Sequence, residues 1–359
     1  MLIFKQHNIA QFLPTLKELN ETFRPTFHLR IRNKRYIICR KSHTTSQNSW
    51  KVLFFGSDEF AVESLKALHK KYKSKVLQRL EVVTAEQNRD NPVMKYAKQN
   101  KIVVNNWPVN VNKLEFHIGV VVSFGHLISS EIINAFPMGM INVHGSLLPR
   151  WRGAAPIIHS IMNGDSKTGI TIMKIKPKKF DIGEIVLQKE IDIGQNETQP
   201  ELSKKLAELG ASTLEEMFQD LPLSLQSAKP QDPTKVTYAP KITSKTSVVD
   251  WNEMSATRVY NLQRALFGLH PIRTSFNDLK IKLFNMQTVE SELVAKQFEG
   301  DAPGTVMYNK TIDALIVKCK EESFVSVKKI TVVGKRTMSA RDFYNGFLSG
   351  RKQIKVLFS

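Results

Sequence analysis

The chain has 359 residues, about right for two domains and too long for one small one. Hydrophobic residues make up 42% and charged residues 24%, which excludes wholesale disorder, and no stretch approaches the ~20 apolar residues of a membrane helix. Charge is the outlier: 52 Lys and Arg against 33 Asp and Glu leave +19, which points to a polyanionic partner such as RNA, DNA or acidic lipid. Two cysteines, Cys39 and Cys319, supply neither a disulfide framework nor a cysteine zinc site.

The excess charge lies at the two ends. Residues 1–49 carry +7, residues 50–228 only +3, and residues 229–359 carry +9. The first segment is Arg-rich, has Glu18 and Glu21 as its only acids, and ends in a Ser/Thr-rich stretch. That composition predicts a mitochondrial transit peptide over residues 1–48; a basic arm that binds nucleic acid is the alternative. Its removal takes Cys39 with it, in keeping with a reducing compartment.

From Trp50 the pattern becomes α/β. Trp50 to Phe55 is an apolar strand, and Asp58 then caps a helix carrying Ala61, Leu65 and Leu68 on one face. A single glycine, Gly56, follows that strand where a dinucleotide fingerprint needs three. Further strands are expected at Glu81–Thr84, Ile118–Val122, Gly139–Val143, Gly169–Ile175 and Glu184–Ile193. Helices are expected at Pro92–Gln99 and Gln199–Phe218. Strands alternating with helices predict a doubly wound, mostly parallel sheet. Leu221–Lys235 holds Pro222, Pro230 and Pro233 and no helical period, and reads as a linker. After it comes one helix, Ser255–Phe267. Short strands at Ile281–Phe284, Gly304–Tyr308, Ala314–Lys318 and Phe324–Val333 follow, a pattern that predicts a small β-barrel of OB-like kind.

The densest chemical signal is the run from Ile141 to Pro156. Asn142 and His144, two apart on a strand, share one face at the strand's carboxyl end, where open α/β sheets place their sites. An amide donor beside an imidazole suits a carbonyl that becomes an oxyanion while an attacking group loses a proton. Leu147 and Leu148 enter an exposed-looking loop closed by Pro149, Gly153 and Pro156. Downstream, Asp181 sits in a loop between two strands and can orient His144 and stabilise its protonated form. Each residue also has a plain structural reading: a hydrogen-bonding strand-end histidine, a turn asparagine, core leucines, solvated Arg150 and Arg152, a solvated loop acid.

Taken together, Asn142-Val-His144, Ser146 to Pro156, Gly169-Ile-Thr-Ile-Met, Phe180-Asp-Ile-Gly, Thr237-Tyr-Ala-Pro-Lys-Ile and Met338-Ser-Ala-Arg-Asp-Phe-Tyr closely resemble the methionyl-tRNA formyltransferases, over about residues 50 to 350. With the presequence, the resemblance is to their mitochondrial form. It implies formyl transfer from 10-formyltetrahydrofolate to the α-amino group of methionine on initiator tRNA in the mitochondrial matrix, without a metal. It further implies Asn142, His144 and Asp181 as catalytic residues, Ser146, Leu147, Leu148 and Pro149 as the folate-binding segment, and a monomer free of membrane contact.

The expected division is a transit peptide over 1–48, a catalytic domain over 49–220, a linker over 221–236 and a tRNA-binding barrel over 237–359. Bacterial relatives carry a basic insertion after the second strand that engages the tRNA acceptor end. Here residues 84–94 are short and hold Arg89 alone among basic residues. Candidate tRNA contacts are therefore Arg89, Arg150, Arg152, Lys235, Lys241, Lys245, Lys335 and Arg336. A fragment ending near Ser227 is expected to keep the folate and lose the tRNA. Rival readings are a formyltetrahydrofolate-dependent hydrolase or formyltransferase with another acceptor, and an RNA-binding protein with an inactive α/β unit. The basic C-terminal half argues against the first, and the complete Asn142, His144, Asp181 set against the second.

Overall fold

The structure, a computed structural model, describes residues 49–85, 90–110, 115–349 and 355–359. The expected transit peptide, Cys39 and Arg89 lie outside the described residues. Chain entry is through β1 (Trp50–Gly56), whose side chains alternate between two apolar layers. Val52 and Phe54 pack on one face of the sheet, Leu53 and Phe55 on the other. That two-sided burial is what a doubly wound sheet demands of its central strand. Asp58 then caps α1 (Glu59–Lys73), accepting from the Ala61 N–H at 3.0 Å, and Leu65 and Leu68 face the sheet as the spacing predicts.

The chain continues through β2 (Leu77–Thr84), α2 (Pro92–Gln99), β3 (Val103–Asn106), β4 (Ile118–Val122), α3 (Ser130–Asn134), β5 (Met140–His144), α4 (Pro156–Met162), β6 (Lys167–Lys174), β7 (Ile185–Asp192) and α5 (Gln199–Met217). Strand order is β3-β2-β1-β4-β5-β6-β7. The first five are parallel, and β6 and β7 return antiparallel. The chain moves outward from β1 to β3 and then crosses back to β4, so the order reverses between β1 and β4. Clefts open above the carboxyl ends of strands at such a reversal. Strand β3 and helices α3 and α4, at four to seven residues, escaped the sequence reading because so short a run carries no readable period.

The stretch read as an irregular linker begins with a helix, α6 (Leu221–Gln226), capped by Asp220 and burying Leu221 and Leu225. Beyond it lie α7 (Ala256–Ala265), β8 (Ile272–Phe276), β9 (Leu279–Val289), α8 (Ser291–Val294), β10 (Thr305–Asn309), β11 (Ala314–Cys319), β12 (Ser323–Val332), β13 (Met338–Ser339), α9 (Ala340–Phe343) and β14 (Val356–Leu357). Six strands form an antiparallel sheet in the order β14-β10-β11-β12-β9-β8, with β13 paired to β12. The sheet curls until its two edges meet: Ser275 and Ser359 exchange backbone hydrogen bonds of 2.7 and 3.0 Å. Phe276, Phe343 and Phe358 pack edge to face beneath that seam. No helix among the described residues is long and apolar enough to cross a membrane.

Phe55 is fully buried at the centre of the second apolar layer, with the Phe124 ring 5.5 Å away. Replacing it by Ala should lower unfolding free energy by about 3–5 kcal/mol, the usual cost of such a cavity. Urea denaturation of the full chain checks this, and a loss under ~1 kcal/mol would mean the layer collapses to refill the space.

Candidate active site

Strand β5 ends the parallel part of the sheet and delivers its two polar residues to one face. Asn142 pairs in register with Val121 of β4 and Met173 of β6, and His144 with Thr171. Both line a cleft of about 830 Å³, together with Asp58 after β1, Ser123 to Ile128 after β4, and the loop that carries Asp181. The Asn142 amide has no hydrogen-bond partner among the described residues and is half-buried, so both its N–H groups are free to meet a ligand. His144 is 6% exposed, and its Nε2–H donates to the Trp151 carbonyl at 2.9 Å. A carbonyl can only accept, which fixes the tautomer and leaves Nδ1 as the nitrogen able to take a proton. That Nδ1 lies 3.8 Å from Asp181 Oδ1, an ion-pair distance rather than a hydrogen bond.

Asp181 is 9% exposed and adopts a left-handed backbone with φ +55°, which Asp tolerates better than most residues. Its Oδ2 accepts from the Gly153 N–H at 2.8 Å. The loop closes at Gly183, where any side chain would collide with the Lys174 carbonyl. Gly153 has φ +126°, and a Cβ there would sit 2.6 Å from the Ala239 oxygen. So close an approach reflects how the 149–155 loop is stitched to the linker exit. Thr237 N–H donates to Pro149, Arg152 N–H to Thr237, Ala239 N–H to Arg152, and Ala155 N–H to Ala239, over 2.7 to 3.3 Å.

Gln231 ties the two loops together. Its Nε2 donates to the carbonyls of Asp181 and Gly183 at 2.9 and 2.8 Å, while its Oε1 accepts from Arg152 Nε and Nη2 at 3.0 and 2.6 Å. Sequence reasoning missed this residue because it lies among the linker prolines, 50 positions from Asp181. The signal available was an amide set between Pro230 and Pro233 in a stretch read as a linker.

The family model described as formyl transferase matches residues 50–218, and that of the formyl transferase C-terminal domain matches 241–348. Human mitochondrial methionyl-tRNA formyltransferase is 40% identical over 318 residues, covering 86% of this chain and 81% of its own. The chain belongs to the methionyl-tRNA formyltransferase family. The methionyl-tRNA formyltransferase of Caldicellulosiruptor saccharolyticus is also 40% identical, over 238 residues that cover 66% of this chain and 73% of its own. Among solved structures, the N-formyltransferase of Helicobacter canadensis, crystallised with folinic acid and dTDP-3-aminofucose, superposes with a TM-score of 0.57 at 17% identity, covering 77% of this chain and 98% of its own. At that identity the likeness is one of fold.

The remaining expected site residues are dispersed. Ser146 is fully buried, its Oγ donating to the Arg150 carbonyl at 2.7 Å and its own carbonyl accepting from Thr171. Leu148 is buried as well, not exposed as the sequence suggested, and its N–H donates to Thr171 Oγ1 at 3.0 Å. Leu147, Leu148 and Pro149 line a separate depression, shared with Ile185 to Gln188 and Lys235 to Thr237, rather than the cleft of His144. Arg150 grips Asp165 with two hydrogen bonds of 2.9 and 2.6 Å and lies 4.2 Å over the Trp151 ring. Arg152 is taken up by Gln231. Lys235 is ion-paired with Asp232 at 3.6 Å, whereas Lys241, Lys245, Lys335 and Arg336 are exposed.

A fragment ending near Ser227 would lack both Gln231 and the Thr237–Ala239 segment, and with them the bonds that brace these two loops. In the full chain, Gln231→Ala should lower turnover roughly 10- to 100-fold, the scale of a misplaced catalytic geometry. The thermal midpoint should fall little, because Gln231 packs no apolar core. Steady-state kinetics beside a melting curve checks this; unchanged turnover would show that Gly153 alone holds Asp181.

Proposed function

We propose that this chain transfers the formyl group of 10-formyltetrahydrofolate to the α-amino group of methionyl-tRNA, as a mitochondrial matrix monomer serving translation initiation. The observation that carries the reading is the free Asn142 amide beside His144 and Asp181 in one cleft, in a chain 40% identical to a mitochondrial methionyl-tRNA formyltransferase. The cleft volume falls within the range of organic-ligand sites, and its apolar side, with Leu127, Ile128 and Ile157, suits a flat heterocycle.

In this reading Asn142 donates a hydrogen bond to the formyl oxygen as negative charge develops on it. His144 Nδ1 accepts the proton that the attacking amine must lose as its nitrogen bonds to the formyl carbon, and the resulting imidazolium lies 3.8 Å from the Asp181 carboxylate. The departing folate nitrogen then takes that proton from His144. Asp181, held by the Gly153 N–H, balances the imidazolium charge, and the Trp151 carbonyl fixes the imidazole from the other side. Ser146 to Pro149, assigned to the folate by resemblance, support the donor site indirectly by anchoring the loop that bears Trp151 and Gly153. The catalytic unit spans residues 49–220, the linker 221–236, and the basic C-terminal unit from 237 carries phosphate contacts through Lys241, Lys245, Lys335 and Arg336.

The deciding experiment gives labelled formyl donor together with methionyl-tRNA, glycinamide ribonucleotide or water, and asks which takes the label. Methionyl-tRNA should take it; label appearing in water or the nucleotide alone would overturn the reading. His144→Ala and Asn142→Ala should each cut turnover roughly 10²- to 10⁴-fold in folded protein. Asp181→Asn should lower turnover heavily with donor binding retained, as equilibrium binding alongside kinetics would report. Near wild-type rates in His144→Ala would remove the histidine from the mechanism.

Charge reversal at Lys335 and Arg336 should raise the Michaelis constant for tRNA more than that for the formyl donor, and should reduce its dependence on salt. Equal constants in the variant and the parent would move tRNA contact off this surface.

A further inference from the structure

The rim of the cleft holds a feature that the chemistry above does not use. Lys176, Lys178, Lys179 and Phe180 form the tip of the loop whose base carries Asp181, and all four are exposed and line the cleft. Phe180 is 65% exposed, a large apolar side chain facing water one residue from a catalytic carboxylate. The three lysines have no ion pair among the described residues. The neighbouring Glu184 is already occupied by Lys174 at 2.8 Å. The neck of the loop is closed by the Lys174 N–H to Glu184 carbonyl bond of 2.9 Å and by the Ile175 N–H to Met140 carbonyl bond of 2.8 Å. The tip is therefore a short projection on a fixed base, with Lys178 in the left-handed region at φ +67°. Leu127, 61% exposed, is a second apolar residue on the lining of the same cleft.

We infer that Lys176 to Phe180 is the subsite for the single-stranded 3′ end of the acceptor RNA, with the terminal base on Phe180 and the adjoining phosphates on the lysines. The inference rests on the proposed acceptor being methionyl-tRNA. Lysines interleaved with an exposed aromatic ring are the chemistry that holds single-stranded nucleic acid: the ring stacks on a base and the cations follow the backbone. Geometry adds a second argument. The attacking amine must come within about 3–3.5 Å of the formyl carbon, beside His144 and Asp181. Its amino acid is esterified to the terminal ribose, so the last nucleoside is held a few covalent bonds from that point. Phe180 and Asp181 are adjacent, with Cα atoms ~3.8 Å apart. A base tethered at Asp181 thus has an exposed ring waiting beside it. The cleft's charges agree in sign, with Lys174, Lys176, Lys178 and Lys179 against Asp58 and Asp181. Arg150 and Arg152, the other basic residues near the site, are consumed by Asp165 and Gln231. The short 84–94 connection, with one basic residue, leaves acceptor-end contacts to be made elsewhere, and this loop is placed to make them.

The test uses the full chain and methionyl-tRNA at several salt concentrations. Phe180→Ala should raise the Michaelis constant for methionyl-tRNA roughly tenfold, in line with the loss of one base–aromatic stack, and more than it raises that for the formyl donor. Phe180→Trp should restore the parent value, which a loss of mere loop packing would not allow. Replacing Lys176, Lys178 and Lys179 together by Gln should lower the slope of log affinity against log salt by about 2, since each phosphate left without its lysine takes ~0.7 from the slope. A rise confined to the formyl-donor constant would assign the loop to the folate's carboxylate tail and overturn the inference. Unchanged tRNA constants in every variant would overturn it too. In either case a parent enzyme that still formylates methionyl-tRNA leaves the functional reading standing, whereas a parent that formylates none removes both.

Discussion

Asp181 can face His144 because two loops from opposite ends of the α/β sheet are fastened to the same stretch of linker. The Gln231 carboxamide spans them, giving two hydrogen bonds to the Asp181 loop and taking two from Arg152. Residues Thr237 to Ala239 pair with the 149–155 loop as a third element would in a sheet. Neither loop has regular structure of its own, and an irregular loop holds a position only when its polar backbone groups find partners. Here the partners come from beyond the catalytic strands. The linker therefore braces two loops of the cleft's wall, although no linker residue lines the cleft itself.

The same dependence appears where α7 meets the α/β half. Arg258 reaches the Met162 carbonyl and Asn163, Tyr260 donates to Asn196 at 2.9 Å, and Arg264 donates to the Gly194 and Glu197 carbonyls at 3.2 and 2.7 Å. Burial pushes the Arg264 and Arg258 guanidinium pKa values below their ordinary level, yet carbonyl and side-chain acceptors meet them, which is how a buried cation is made tolerable. Apolar packing is continuous as well, running from Val52 and Leu65 through Met162 and Leu206 to Trp251 and Val259. An arrangement joined by these arginine bonds and a shared core offers a fixed relation between the cleft and the basic surface.

Much of this was legible in the chain itself. The central strand announced its two-sided burial through an unbroken apolar run, Asp58 announced its cap, and the 3.6-residue spacing of Ala61, Leu65 and Leu68 marked the buried face of α1. Asn142 and His144 were readable as a pair because a strand alternates its faces with a period of two, whatever the tertiary context. The short elements β3, α3, α4 and α6 were not readable, since four to seven residues give too few repeats of either period. The exposed reading of Leu148 failed for a related reason: a loop composition suggests solvent, but burial of a loop depends on what packs over it, here Thr171 and Gln188.

What the sequence determined by itself was local: the strand and helix periods, the caps, the charge at each end, and the placing of two polar residues on one strand face. What tertiary structure decided was every relation between distant residues. The 3.8 Å between His144 and Asp181, the capture of Arg152 by Gln231, the pairing of Arg150 with Asp165 and the meeting of Ser275 with Ser359 join positions 15 to 84 apart in the chain. Composition gives no sign of such contacts, because any exposed-looking Arg or Gln carries the same side chain whether or not a partner arrives. Whether an Arg binds a phosphate or a neighbouring carboxylate is settled only when folding brings that carboxylate within reach. In this chain Arg150 meets Asp165 and Arg152 meets Gln231, whereas Lys176, Lys178 and Lys179 have no ion pair among the described residues.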